Sequence, residues 1–348
     1  MIELFSDTQT RPTPAMREAM ARAEVGDEQL GLDPTVEELC ARVASLLGHE
    51  AGVLLPSGTM GNLIGLLLHV GTTGEEVLLH ELAHPRRFEA GGAARLVGAV
   101  LTPLASPTGV FDAAQVRAAA HDPGDRYAPR TRLVSVEQPT NVTGGHVWPL
   151  ETLDGVLAAA ADLGLATHLD GARLLNAVVA SGVPADRWAG GVDTAWIDFT
   201  KGLGAPLGAV LVGSADTIAR AWRFKQMLGG ALRQAGVAAA ACLHALDHHV
   251  DRLADDHARA RRLAEAAAEV APQAVDPTAV ETNIVVLRGI DAPAVREALA
   301  RRGVGAGALG PSALRLVTHL DVDDADCAHA ATALQEALRE TEASRAQG

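Results

Sequence analysis

At 348 residues the chain is long enough for about two domains. Apolar residues make up 48% and charged ones 21%, which excludes a disordered chain. With 43 acidic against 29 basic side chains the formal charge is −14, and only five Phe, four Trp and one Tyr are present. A general nucleic-acid binder needs phosphate neutralisation and base-stacking rings, so that class is excluded.

Taken in chain order, two well-punctuated helices come first. Thr13 caps a helix that opens on Pro14, and Gly26 follows its end. Asp33 and Pro34 repeat the device, with Val36, Leu39, Cys40, Val43 and Leu47 on one face and Gly48 as the stop. Short apolar strands then alternate with helical patterns. The strand candidates are 52–55, 77–80, 133–137, 166–170, 195–199 and 208–212, with an Ala-rich helix over 150–163. That alternation predicts a mostly parallel sheet covered by helices on both faces. One long helical tract is expected over 231–268. Strands at 283–287 and 314–317, around a helix at 292–301, then suggest a smaller α+β domain. The domain boundary is placed near residue 250, giving a large domain 1–250 and a small one 251–348.

Cys40, Cys242 and Cys327 are far apart and form no disulfide or metal spacing, which suits a reducing compartment. The first residues lack the basic and apolar regions of a signal peptide, and the apolar runs at 63–68 and 237–243 are too short to span a bilayer. A cytoplasmic protein with no membrane partner is expected.

Two signals mislead. His80-Glu81-Leu82-Ala83-His84 matches the HExxH pattern of zinc hydrolases, which needs both histidines on one helical face. Pro85 follows at once, and a strand pattern runs into the motif, so that context fails. His248, His249 and His257 lie among Asp247, Asp251, Arg252, Asp255, Asp256 and Arg259, which reads as a solvated helix face. No metal site is expected from either. No GxGxxG or P-loop follows any strand, so the usual dinucleotide and ATP cradles are missing.

Three features stand at strand ends, where open α/β sheets bind ligands. Pro56-Ser57-Gly58-Thr59-Met60-Gly61-Asn62 reads as an anion-binding helix start or as an ordinary capped one. His168-Leu169-Asp170-Gly171-Ala172-Arg173 puts a carboxylate and an arginine at the end of a strand, for a ligand or as a surface ion pair. In Asp198-Phe199-Thr200-Lys201-Gly202-Leu203-Gly204-Ala205-Pro206 a lone lysine sits before a Gly-rich turn. A desolvated lysine amine can form a Schiff base. An aspartate and a lysine on consecutive strand ends are the pair a pyridoxal phosphate site needs.

The chain resembles the low-specificity L-threonine aldolases of the β-eliminating lyase group. Supporting segments run from Ser6-Asp7-Thr8-Gln9-Thr10-Arg11 through Ser57–Asn62, Glu89-Ala90-Gly91-Gly92, His168–Arg173, Lys201–Pro206 and Arg233-Gln234-Ala235-Gly236 to Leu314-Arg315-Leu316-Val317-Thr318-His319. The resemblance implies the aspartate-aminotransferase-like fold, an α/β large domain with a mostly parallel seven-stranded sheet plus a smaller C-terminal α+β domain. It implies pyridoxal 5'-phosphate as cofactor and an amino acid as the small-molecule partner, cleaved to glycine and an aldehyde. It implies a homo-oligomer, a dimer of dimers with shared sites.

By the same resemblance, Lys201 carries the cofactor, Asp170 meets its ring nitrogen, and Ser57, Gly58 and Thr59 cradle its phosphate. His84 stacks on the ring and serves as base. Ser6, Arg173 and Arg315 grip the substrate carboxylate, Arg173 also lying near the cofactor. Phe88 lines the aldehyde side. Lys225 and Arg233 match positions near the cofactor in the assembled oligomer. One departure stands out: the family's Glu-Asn-Thr-His is Glu137-Gln138-Pro139-Thr140 here, so Thr140 occupies the substrate-facing histidine position. A β-eliminase, racemase or transaminase of the same cofactor class is the alternative reading.

Overall fold

The computed structural model describes residues 1–346. The chain opens with β1 (Ile2–Glu3), α1 (Pro14–Ala21) and α2 (Pro34–Leu47). Thr13 accepts a hydrogen bond from the Met16 N–H and Asp33 from the Val36 N–H, so both expected caps form. The central stretch alternates as β2 (Ala51–Leu55), α3 (Gly58–His69), β3 (Glu76–His80), α4 (His84–Arg87), β4 (Val100–Leu104), α5 (Ala113–Ala119) and β5 (Thr131–Glu137). It continues through α6 (Leu150–Asp162), β6 (Ala166–Gly171), α7 (Leu174–Ser181), α8 (Ala185–Ala189), β7 (Thr194–Asp198), β8 (Ala209–Gly213) and α9 (Ala215–Met227). The last part comprises α10 (Gly236–His248), α11 (Leu253–Ala268), β9 (Ile284–Arg288), α12 (Ala292–Arg301), β10 (Val304–Gly305), β11 (Gly307–Ala308), β12 (Ala313–Val317) and α13 (Asp324–Ala346).

Seven strands form the main sheet in the order β2-β8-β7-β6-β5-β3-β4. Strands β4, β3, β5, β6 and β7 are parallel; β8 runs antiparallel to both its neighbours, β7 and the edge strand β2. The carboxyl ends of β5, β6 and β7 therefore lie side by side, where an open parallel sheet presents its ligands. Strand β4 has no counterpart in the sequence pattern. It carries Pro103 and an exposed Val100, and only an edge strand tolerates that proline.

The expected tract 231–268 is two helices, α10 and α11, with 249–252 between them. His249 is buried in that break, its Nδ1 2.7 Å from the Leu203 carbonyl. The solvated-face reading holds for exposed Asp247, His248, Asp251 and Asp255 but not for His249, Asp256 or the partly buried His257. Asp256 is fully buried against Arg252, and burial pushes His257 down to about 4.

One large core runs from Met16 to Leu253, and a second gathers α11, α12, α13 and the small sheet β11-β12-β9 together with Leu4. Strand β1 pairs with β10, so the first residues belong with the last third. A third cluster, including Ile64, Leu68, Trp196 and Leu211, binds α3 to the main sheet. Gly58, Gly61 and Gly65 make that approach close. A Cβ at 58 would stand 2.3 Å from the Trp196 ring, and one at 65 would stand 2.3 Å from His168. No helix among the described residues is long and apolar enough to cross a membrane.

Candidate active site

A cavity of about 590 Å³ opens beside the ends of β5, β6 and β7, walled on its other side by Phe5, Ser6 and the β11–β12 region with Arg315. Its volume is within the range of small-molecule sites. Lys201 enters from the turn after β7. It adopts a left-handed backbone (φ +54°), unusual for a side chain with a Cβ and a form of strain that clusters at functional sites. Its Nζ donates to Asp198 Oδ2 at 2.7 Å, and Thr200 fixes the same carboxylate. Asp170, buried at the end of β6, accepts from the Ala172 N–H at 3.0 Å and from Asn62 at 2.7 Å. Glu137 ends β5 beside it, and burial pushes its carboxyl well above the usual range, with Asp170 adding to the shift.

Arg173 and Arg315 both face the cavity but differ in their partners. Arg173 donates from Nε and from an Nη to the two oxygens of buried Asp7, both at 2.7 Å. Burial would raise the Asp7 carboxyl, but Arg173 outweighs it and holds the group well below the usual carboxylate range. Asn283 adds a bond to Asp7 at 3.1 Å. Among the described residues Arg315 has no carboxylate partner. It donates to Asn141 Oδ1 at 2.9 Å and to the Phe5 carbonyl at 3.4 Å, and its buried Nε finds no partner there. Burial, helped by Arg173, pushes Arg315 down to about 10. A cation held in this way is prepared for an anionic ligand.

The N-terminus of α3 opens on the same cavity. Ser57 caps it, accepting from the Met60 N–H, and Ser57, Gly58 and Thr59 all line the wall. The first-turn N–H groups of a helix have no intrahelical acceptors, so this end can receive an anion. His84 begins α4 and also lines the cavity, with its Nδ1 2.8 Å from Glu89 Oε1 and its ring 5.5 Å from Phe88. Oε1 also accepts an Asn62 N–H, so this oxygen is an acceptor and Nδ1 carries the proton. In the neutral ring Nε2 then keeps its lone pair. Burial raises the Glu89 carboxyl, while His84 and Asn62 act against that. Ser6 lines the wall as well, capping a short turn through Thr8.

Most of the expected residues thus meet in one place. Three do not. Thr140 is buried away from the wall, its hydroxyl accepting from Thr143 at 2.7 Å and from the His146 N–H at 3.1 Å. Its neighbour Asn141 lines the cavity in its stead. Lys225 is fully buried against Glu28, with Trp222 4.2 Å away, and Arg233 pairs with Asp27 at 2.9 Å, both outside this cavity. The HExxH pattern is split between a strand and a short helix. His80 has both ring nitrogens engaged, by the Ser106 carbonyl at 2.9 Å and the Leu82 N–H at 3.2 Å.

Sequence reasoning assigned no role to Asp7, Asn62, Glu89, Glu137, Asn141 or Asp198. For Asn62 and Asp7 the partners are distant in sequence, 108 positions to Asp170 and 166 to Arg173, whereas Asp198 and Glu89 lie within five positions of Lys201 and His84. Only the glycines at 58, 61 and 65, one face of a helix, signalled that something packs closely there.

The sequence profile of the β-eliminating lyases matches residues 3–289. Low-specificity L-threonine aldolase 1 of Arabidopsis thaliana is 38% identical over 344 residues, covering 97% of this chain and 96% of its own. Low specificity L-threonine aldolase of Escherichia coli O157:H7 is 42% identical over 325 residues, 92% of this chain and 95% of its own. Among solved structures, a Leishmania major threonine aldolase superposes with a TM-score of 0.83 at 20% identity, covering 97% of this chain and all of its own. On the extent of the profile match and these identities, the chain belongs to the β-eliminating lyase family.

Proposed function

We propose that this chain is a pyridoxal-phosphate-dependent aldolase. It cleaves L-threonine, L-allo-threonine and related β-hydroxy-α-amino acids to glycine and an aldehyde. The observation that carries the proposal is the convergence of Lys201, Asp170, the α3 N-terminus and an uncompensated Arg315 on one cavity. Its donor set fits the cofactor: a lysine amine for the aldehyde, a fixed carboxylate for the ring nitrogen, and a helix start for the phosphate. When bound, pyridoxal phosphate supplies an electron sink for the pair released as the Cα–Cβ bond breaks.

The chain's own residues then have separable tasks. Ser57, Gly58 and Thr59 hold the phosphate, and Asp170 holds a proton at the ring nitrogen. Arg315 takes the substrate carboxylate on its free edge, with Arg173 and Ser6 beside it. His84 receives the β-hydroxyl proton at Nε2, and Glu89 stabilises the resulting cation through Nδ1. Phe88 borders the aldehyde side. Thr140 acts on the substrate only through the loop that presents Asn141.

We take the enzyme to be a cytoplasmic homo-oligomer, a dimer of dimers. Three free thiols support the compartment. Exposed Val25, Leu30, Leu32 and Val237 on the segments beside Asp27 and Arg233 support the assembly, in which Arg233 serves a neighbouring chain's site while Lys225, sealed against Glu28, braces the segment from within. We also divide the chain near residue 250, on the separation of its two cores.

The test is the Lys201→Ala variant with product analysis on L-threonine, L-allo-threonine and phenylserine. The wild type is expected to release glycine and an aldehyde and to hold a borohydride-trappable adduct, and the variant neither. Keto acid and ammonia as the wild-type products would favour a β-eliminase instead.

A further inference from the structure

We propose that Asn62 is a positioning residue that ties the Asp170 carboxylate to the His84–Glu89 pair. The inference rests on the function proposed above. Asn62 is fully buried on α3. Its amide nitrogen donates to Asp170 Oδ2 at 2.7 Å and to Glu89 Oε1 at 2.8 Å. Its Oδ1 accepts from the Trp196 indole N–H at 2.8 Å and lies 3.3 Å from His168 Nε2. Every donor and acceptor position of the amide is used.

The orientation of that amide is forced. An indole N–H can only donate, so Oδ1 must face Trp196 and both amide hydrogens must face the two carboxylates. His168 reinforces the arrangement. With Oδ1 fixed as an acceptor, the contact at 3.3 Å calls for Nε2–H on His168, and the Thr194 hydroxyl, 2.8 Å away, then donates to Nδ1. Both orienting rings press on the bare face of α3. A Cβ at Gly61 would stand 3.0 Å from the Trp196 ring, and one at Gly65 would collide with His168. Helix–sheet packing therefore sets the amide, and the amide sets two functional carboxylates.

Two consequences follow. Asp170 is clamped from both sides, by the Ala172 N–H on Oδ1 and by Asn62 on Oδ2, so its plane cannot rotate. Glu89 Oε1 is likewise kept as an acceptor, which holds the His84 proton on Nδ1 and leaves Nε2 basic. The ring-nitrogen partner and the base are thus held by one side chain that itself touches neither substrate nor cofactor.

Asn62→Ala and Asn62→Asp test this. The measurements are the Kd for pyridoxal phosphate by equilibrium dialysis, the visible absorbance of the bound cofactor, kcat and KM for L-threonine, and thermal unfolding of the cofactor-free chain. Asn62→Ala is expected to raise Kd and lower kcat by about tenfold or more, as for a lost bond to a charged group, with KM within about threefold. Asn62→Asp, which puts a third carboxylate between two others, is expected to do worse and to shift the visible band. Trp196→Phe removes the orienting N–H together with one ring of a buried side chain on the cavity wall; it serves where Asn62→Ala does not fold, read beside its own fall in unfolding temperature, and the same changes are expected on a smaller scale. If unfolding temperature falls while Kd, absorbance and kcat stay within about twofold of wild type, Asn62 is a plain core residue and the proposal is wrong. A wild type that binds no pyridoxal phosphate would overturn the functional reading instead.

Discussion

Two arginines on one cavity wall should respond to the same substitution with opposite effects on stability. Arg173→Met removes the guanidinium that compensates fully buried Asp7 and leaves that carboxylate with Asn283 alone. Breaking a buried ion pair from one side costs about 3–5 kcal/mol. Arg315→Met removes a cation that has no carboxylate partner among the described residues. Its shift from 12.5 to about 10 means that the folded state disfavours the charged form by roughly 3 kcal/mol. The folded pKa is lowered, so this cost is fully present at neutral pH and fades only as pH rises through about 10. Against it stand the lost bonds to Asn141 and, at 3.4 Å, to the Phe5 carbonyl, about 1.5–3 kcal/mol. Arg315→Met should therefore leave stability unchanged or raise it by up to about 1.5 kcal/mol. Both variants should lose roughly 10- to 100-fold in kcat/KM, since each removes a charged donor to the substrate carboxylate. Urea unfolding of the cofactor-free chain at pH 7, beside steady-state kinetics on L-threonine, gives both numbers. Equal destabilisation by the two substitutions, or an Arg315→Met enzyme within threefold of wild type in kcat/KM, would refute the reasoning.

Other outcomes follow from the same contacts. Gly65→Ala places a methyl group 2.3 Å from His168 and should destabilise by about 1–3 kcal/mol, read as a fall in Tm. Gly155→Ala is its opposite: α6 is helical there, and the nearest atom to the new methyl, on Ala113, is 3.8 Å away, so Tm should rise, for roughly 0.5–1 kcal/mol. Burial pushes His168 down to about 3, so the unfolded chain takes up its proton first. Stability should decline as pH falls below about 6.5, and His168→Gln should flatten that limb in a Tm–pH series. Asp7 acts lower on the scale. Its depressed carboxyl contributes above the usual carboxylate range and loses its effect as pH falls through the folded value, so Asp7→Asn should be markedly less stable at pH 7 but lose less between pH 4 and 2.

The parallel strands were legible because residues such as 133–137 and 166–170 are short apolar runs between helical patterns, and such runs in a sheet buried on both faces read without alternation. Strand β4 was not, because Pro103 and the exposed Val100 make an edge strand resemble a loop. The single tract 231–268 failed for a tertiary reason: His249 leaves the helix to meet the Leu203 carbonyl, and no local signal marks that partner. At the site, Lys201, Asp170 and Arg173 could be placed from strand ends alone. The Asn62 network could not, because each partner is brought in by a different strand or turn. Thr140 shows the limit of position matching. A hydroxyl is too short to fill a histidine's place on the wall, and here it is taken up by its own loop through Thr143 and His146.

The N-terminal strand has a bearing on the order in which the molecule is made. Ile2 aligns with Val304, the Glu3 carbonyl meets His319 Nε2 at 2.9 Å, and Asp7 reaches Asn283. Strand β1 can therefore pair only after residues about 300 positions further along have been made. Until then the Asp7–Arg173 pair has no lid from Asn283, and the wall carrying Arg315 does not exist. A nascent chain can thus complete its main sheet, whose last strand ends at Gly213, about a hundred residues before it acquires the arginine proposed to hold the substrate carboxylate.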